Sequence, residues 1–328
     1  MRRREVIAGL AALSGGAVAG PVSAQAPRIY RIGIIETVAP AHNKANLAAL
    51  VGALRELGYV EGANLHIEYR SADGEAARFP EIAAELVAAG VDLIVTRGTP
   101  AALAAKNATQ SIPIVMAAIG EPPIGPGVVA QLARPGGNIT GLSAFVTELQ
   151  GKRVELIKEA VPGTTCVSAL LNMGNPVSPP QWQETMRVTQ ALGLKARLVD
   201  VRRPDDLAEA IDSAVKDGAD ALAVGIDYLI QALAPLIIGL AARHRLPTIY
   251  PSREFADDGG LLAYGVSYPN LYARAAGFID RIFKGAKPSE LPVEQPTKME
   301  LVLNLKAADV LGLRFPPTLL ARADEVIE

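Results

Sequence analysis

The residues of this chain with the means to do chemistry mostly stand just after short β-branched runs. Asp227 and Tyr228 follow the apolar stretch 221–226, and the Asp227 carboxylate suits a ligand ammonium. The plainer reading is that it caps a helix beginning near Ile230. Glu36 and Thr37 follow the run 31–35, either facing a cleft or sitting in a solvated turn. After the run 91–96 come Arg97-Gly98-Thr99-Pro100-Ala101. There Gly98 permits a tight turn, Thr99 is placed to cap, and Pro100 suits a first helical position. The unpaired N–H groups and dipole of that helix start favour a carboxylate, although many such starts are simply capped helices. Glu121 follows the run 112–117, and Asn172 and Asn175 offer side-chain amides in a segment equally suited to a turn. Tyr250 and Arg253 pair a ring with a guanidinium, and a surface ion pair with Glu254 would be worth little. Tyr264, beside Gly265, stands where a ligand wall or an ordinary strand end would fit.

Nucleophilic and metal chemistry have no comparable support. No GxSxG elbow, GxxxxGK[ST] loop or GxGxxG fingerprint occurs after residue 26. Ser143, in Gly141-Leu142-Ser143-Ala144-Phe145, has the wrong last residue for an elbow. His42, His66 and His244 are far apart, and the single cysteine, Cys166, excludes an internal disulfide or a thiolate cluster. Cys166 lies in an apolar run and reads as a small core residue. No catalytic residue, metal or cofactor is therefore assigned.

The elements that must position these residues alternate between strand and helix, twice. Strands are expected over 31–35, 64–70, 91–96, 112–117 and 138–142, with helices over 43–57, 75–89 and from Thr99. The pattern restarts with a helix over 150–160 and strands over 166–171, 196–201, 221–226, 247–250, 261–266 and 300–304. The intervening helices are placed at 180–192, 205–216, 230–243 and 268–283. Continuous apolar strands between helices argue for parallel sheets covered on both faces. The fold class is α/β: two Rossmann-like lobes with parallel sheets, joined by three crossings near 143–149, 265–267 and 296–300.

Length and composition agree. The 328 residues suit two domains, and 50% hydrophobic with 20% charged residues suit a globular chain. A net charge of -2 gives no basic face for nucleic acid. Arg2-Arg3-Arg4, a weakly apolar stretch and Ala24-Gln25-Ala26 read as an export signal cleaved after Ala26. The Arg3-Arg4-Glu5-Val6-Ile7 pattern fits the twin-arginine route, and the general secretory route fits as well.

Several segments together resemble the periplasmic substrate-binding proteins of ABC transporters, in the family that includes tryptophan- and tyrosine-binding members. They are 96–101, 132–143 with its Arg134-Pro135-Gly136-Gly137-Asn138, 171–176, 245–255, 263–266 and 284–288. The resemblance spans the chain beyond the signal. One departure is Gly120-Glu121-Pro122, where the family often has Gly-Asp-Pro. The resemblance implies a type I periplasmic-binding fold, with lobes of 27–145 plus 268–296 and 146–267 plus 297–328. It also implies a monomer that holds a small solute, an amino acid or small organic acid, and hands it to an ABC permease in the inner membrane. A sensor of the same fold serving a signalling receptor, or an exported hydrolase, are the rival readings.

Overall fold

The computed structural model describes residues 28–120, 124, 127–144, 146–296 and 298–328. The export signal and Glu121 lie outside the described residues. The first lobe is built on β1 (Tyr30–Glu36), α1 (Lys44–Glu56), β2 (Leu65–Ser71), α2 (Phe79–Ala88), β3 (Leu93–Arg97), α3 (Thr99–Ala108), β4 (Ile114–Ile119) and β5 (Ile139–Ser143). Its five strands run parallel in the order β2-β1-β3-β4-β5. β3, β4 and β5 are buried on both faces, and β4 accordingly reads as an unbroken apolar run while β3 and β5 admit a few small polar residues and, at the end of β3, Arg97. Successive side chains divide between two cores: Ile34 packs with Leu50 and Leu54 of α1, Ile35 with Phe79 and Leu86 of α2.

The second lobe takes α4 (Val146–Ala160), β6 (Cys166–Leu171), α5 (Ser178–Ala191), β7 (Lys195–Asp200), α6 (Asp206–Lys216), β8 (Ala221–Val224), α7 (Tyr228–Ala232), α8 (Ala234–Arg243), β9 (Thr248–Tyr250), α9 (Arg253–Asp257) and β10 (Leu262–Val266). The chain then returns to the first lobe. α10 (Tyr268–Phe283) starts with Pro269 in its first turn and buries Leu271, Tyr272, Ala275, Phe278, Ile279 and Ile282 against α1 and the first sheet. That spacing is one helical face. A third passage follows an isolated bridge between Leu142 and Glu294. It leads to β11 (Met299–Asn304), α11 (Leu305–Leu311), α12 (Pro317–Leu320) and β12 (Glu325–Ile327) in the second lobe. The seven-stranded sheet has the order β12-β11-β10-β9-β8-β6-β7.

Three differences from the sequence reading have physical causes. β11 runs antiparallel to β10, with Val266 opposite Met299. β10 ends at one crossing and β11 begins at another beside it, so their directions must oppose. The helix expected over 230–243 is two helices, because Pro235 in the first turn of α8 cannot continue the bonding of α7. α9, α11, α12 and β12 were not foreseen. Among the described residues no helix is long and apolar enough to cross a membrane.

Candidate functional site

Both sheets present strand ends to a cleft between the lobes. From the first lobe come Thr37 after β1, Arg97 to Pro100 at the junction of β3 and α3, Ala118 to Gly120 and Ala144. From the second come Asn175, Val177, Ile226, Asp227, Tyr228 and Gln231, with Tyr268 at the head of α10. The empty space between them is about 480 Å³, part of it continuous with solvent.

Gly98 is the residue that makes the α3 end possible. It occupies the cap position with φ 85° and ψ 153°, a conformation open to glycine alone. The helix therefore starts one residue earlier than expected, and Thr99 is its first helical residue rather than its cap. The Thr99 hydroxyl is buried without a partner among the described residues, as is that of Thr37. Pro100 has no N–H, so the free amides of this helix start are those of Thr99, which lines the cleft, and of Ala101, which does not. The Ala101 side chain itself belongs to the core.

Asp227 lines the opposite wall, and the helix-capping reading of it is the one the geometry displays. Its Oδ1 accepts from the N–H groups of Leu229 (2.7 Å) and Ile230 (3.0 Å), capping α7. Its Oδ2 accepts from Nδ2 of Asn172 (3.2 Å) and of Asn175 (2.8 Å). Burial pushes its pKa up, although these four donors pull the other way. A carboxylate has about four acceptor positions, and all are filled by the protein. Asn172 reaches the cleft through this bond, whereas Asn175 lines it directly.

Glu36 is fully buried behind Thr37. Tyr272 donates its hydroxyl to Oε1 and the Thr37 N–H donates to Oε2 at 3.1 Å. Burial raises its pKa to about 7, against the pull of Arg97 and the hydrogen bonds from Thr37 and Asn43.

Tyr250, Arg253 and Tyr264 are not brought to the cleft. Tyr250 is 1% exposed and stacks on Phe255, ring centroids 5.1 Å apart, inside the second lobe. It turns into the core because β9 packs that face against α8 and α9. Arg253 forks onto Glu325 (2.8 Å) and reaches Asp257 (3.1 Å), on the far edge where β12 closes the sheet. Tyr264 is half-buried in β10, where its carbonyl accepts from Nη1 of the fully buried Arg153 at 3.1 Å. Gly265 beside it has no room for a side chain, which would collide with the Pro251 carbonyl. The aromatic walls are Tyr228 and Tyr268 instead.

Arg97, Tyr268 and Gln231 were not singled out from the sequence. Arg97 is 5% exposed, with its guanidinium carbon 4.1 Å from the Tyr268 ring centroid. An arginine closing an otherwise apolar buried strand was the available signal.

The lobes touch across the cleft. Phe79 meets Tyr228 edge to face at 6.0 Å, Asn46 Nδ2 donates to Glu254 Oε1 at 3.4 Å, and Gly74 lies against Ala232.

The model of the family described as ABC transporter substrate binding protein matches residues 31–327. The chain belongs to that family. It is 28% identical over 298 residues to a tyrosine-binding protein of Clostridioides difficile (strain R20291), covering 90% of this chain and 85% of that one. Among solved structures, a domain from Streptococcus pneumonia in complex with L-Trp superposes with a TM-score of 0.83 at 28% identity, covering 91% of this chain and all of that one. A ligand-free, open substrate-binding protein with adhesive properties from Clostridium difficile gives 0.65 at 25% identity, covering 92% and 99%. The fold is thus the type I periplasmic-binding fold, and family members are solute-binding proteins rather than enzymes.

Proposed function

We propose that this protein is the extracytoplasmic solute receptor of an ABC importer, exported to the periplasm and working as a monomer. It captures an amino acid or small organic acid between its lobes and presents the closed form to a permease, with no chemical turnover. The lobes are 27–145 with 268–296 and 146–267 with 297–328, hinged at the three crossings. The observation that carries this reading is the composition of the cleft. Two buried hydroxyls without partners among the described residues and the start of α3 form a polar end on one lobe, and Tyr228 and Tyr268 supply apolar walls.

Relatives that hold tyrosine or tryptophan favour an aromatic amino acid. The solute carboxylate would sit at Thr37, Thr99 and the start of α3, and an α-ammonium would lie in the field of Asp227. Closure is supported by likeness: superposition is better on the L-Trp complex than on the open, ligand-free relative. A ligand that binds one arrangement of the lobes stabilises it by its differential affinity.

The test is a thermal-shift screen on protein refolded to remove any carried-over solute, against amino acids, aromatic acids, small carboxylates, polyols and nucleosides. A true ligand at about 100 times its Kd adds about 2.7 kcal/mol, a rise of several degrees. A panel without a single shift refutes the reading.

A further inference from the structure

Arg97 presents a problem that the cleft as described leaves open. Its guanidinium is buried at the end of β3, stacked on Tyr268, and reaches Asn43 Oδ1 only at 3.5 Å. Among the described residues no carboxylate lies within 4.0 Å of it. Among the described residues, the charged and titratable groups that face it are Glu36 on β1, Tyr268 on α10, which also hydrogen-bonds it, and Glu254 on α9, and together they favour its charged form. Glu36 already accepts from Tyr272 and from the Thr37 amide. Glu254 lies on the opposite lobe and accepts from Asn46. A buried cation without a contacting counter-ion is costly unless something else neutralises it.

Every donor near Arg97 faces the same way in charge terms. The Thr37 and Thr99 hydroxyls, the Thr99 amide and the guanidinium, all on residues that line the cleft, offer it hydrogens or positive charge. All of them sit on the first lobe. On the second lobe, Asp227 has its four acceptor positions filled by its own neighbours.

We propose that Arg97 is the charge that selects the solute, so that a carboxylate is obligatory and an amine is dispensable. The inference rests on the solute-receptor reading and narrows its substrate class. The carboxylate docks on the first lobe alone, between Arg97, Thr37 and Thr99, before the second lobe arrives. Hydrogen bonds to charged groups are the strong ones, which sets the size of the effect.

The experiment measures affinity by calorimetry for L-tryptophan, L-tyrosine, 3-indolepropionate, L-tryptophanamide and tryptamine, on the wild-type protein and on Arg97→Met. The expected result is that the acid without an amine binds within roughly 10-fold of the amino acid, while the amide and the amine lose roughly 10- to 100-fold. Arg97→Met should lose a similar factor for the acids and almost nothing for the amide. Circular dichroism checks that the variant is folded, and if it is not, the acid–amide pair on wild-type protein decides alone. Amide binding as tight as acid binding overturns the proposal, and so does a folded Arg97→Met that binds acids normally. A polyol or nucleoside that shifts the melting temperature in the thermal-shift screen, with no acid doing so, overturns the role of Arg97 and leaves solute capture intact. Absence of binding by these five compounds together with a silent thermal-shift panel overturns both.

Discussion

Glu36 carries a pH signature that can be read without any ligand. Its pKa rises from 4.5 to about 7 on folding, so the folded protein holds a proton there that the unfolded chain releases. Stability from this group is therefore complete below about pH 4.5 and is lost as pH rises to about 7. The shift corresponds to about 3 kcal/mol across that window. Glu36→Gln keeps the volume and the acceptor for Tyr272, and should flatten that slope. Melting temperatures of the two proteins at pH 5 and pH 8 check it: the wild type should lose more than the variant, and equal losses would assign the slope elsewhere. At this scale the sequence was most readable where a strand-end rule applied. Thr37, Gly98 to Pro100, Asn175, Asp227 and Tyr228 all line the cleft, as residues just past strand ends should. Arg97 stood just past the expected strand but was passed over for the turn and helix start that follow it, and Tyr268 and Gln231 escaped because they sit on helices entering from crossings and turns. Tyr250 was misplaced because nothing in a three-residue strand says which face its side chain takes.

Among the elements, α3 is the one whose start depends on a glycine-only backbone conformation at the cleft. Replacing Gly98 with alanine puts a side chain into a conformation that costs about 1–3 kcal/mol, although the added carbon would meet only ordinary contacts. Gly98→Ala is expected to lower the melting temperature by several degrees and weaken solute binding, since relief of strain displaces the Thr99 amide. A variant that melts lower and binds normally would detach this turn from recognition. Element types were legible where burial is complete on both faces, as in β3, β4, β6 and β8, or where one helical stripe is apolar, as in α10. β12 was not legible, because its three half-exposed residues at a sheet edge show neither pattern. The break between α7 and α8 was written in Pro235, which interrupts the apolar region, but a single helix was expected to run through it.

For the molecule as a whole, if the lobes open and close as proposed above, the contacts across the cleft would set the balance between the two forms. The Phe79–Tyr228 pair is the clearest of them, and such pairs contribute about 0.5–1.5 kcal/mol. Tyr228→Ala should shift the unliganded protein toward the open form and weaken solute binding by roughly 2- to 10-fold. Small-angle scattering reads the first effect as a larger radius of gyration that solute at saturation reverses. An unchanged radius in the variant would place the closing energy in other contacts. The two-lobed architecture was readable from the repeat of strand and helix, whereas the touching of the lobes was not. It depends on side chains more than a hundred residues apart, such as Phe79 with Tyr228 and Asn46 with Glu254.

The third crossing also dictates when the protein can become a protein at all. The second sheet receives β11 and β12 from residues 299–327, and the first lobe receives α10 only after β10 of the other lobe is complete. Neither lobe is a contiguous stretch of chain, so neither can seal its core while its last strand or helix is still being made. Until residues 299–304 are in place, β10 presents a bare edge of the kind that pairs with other chains. A chain cut short by thirty residues would thus lose far more than a tail, and holding the nascent polypeptide unfolded until its end has emerged becomes a requirement of its topology.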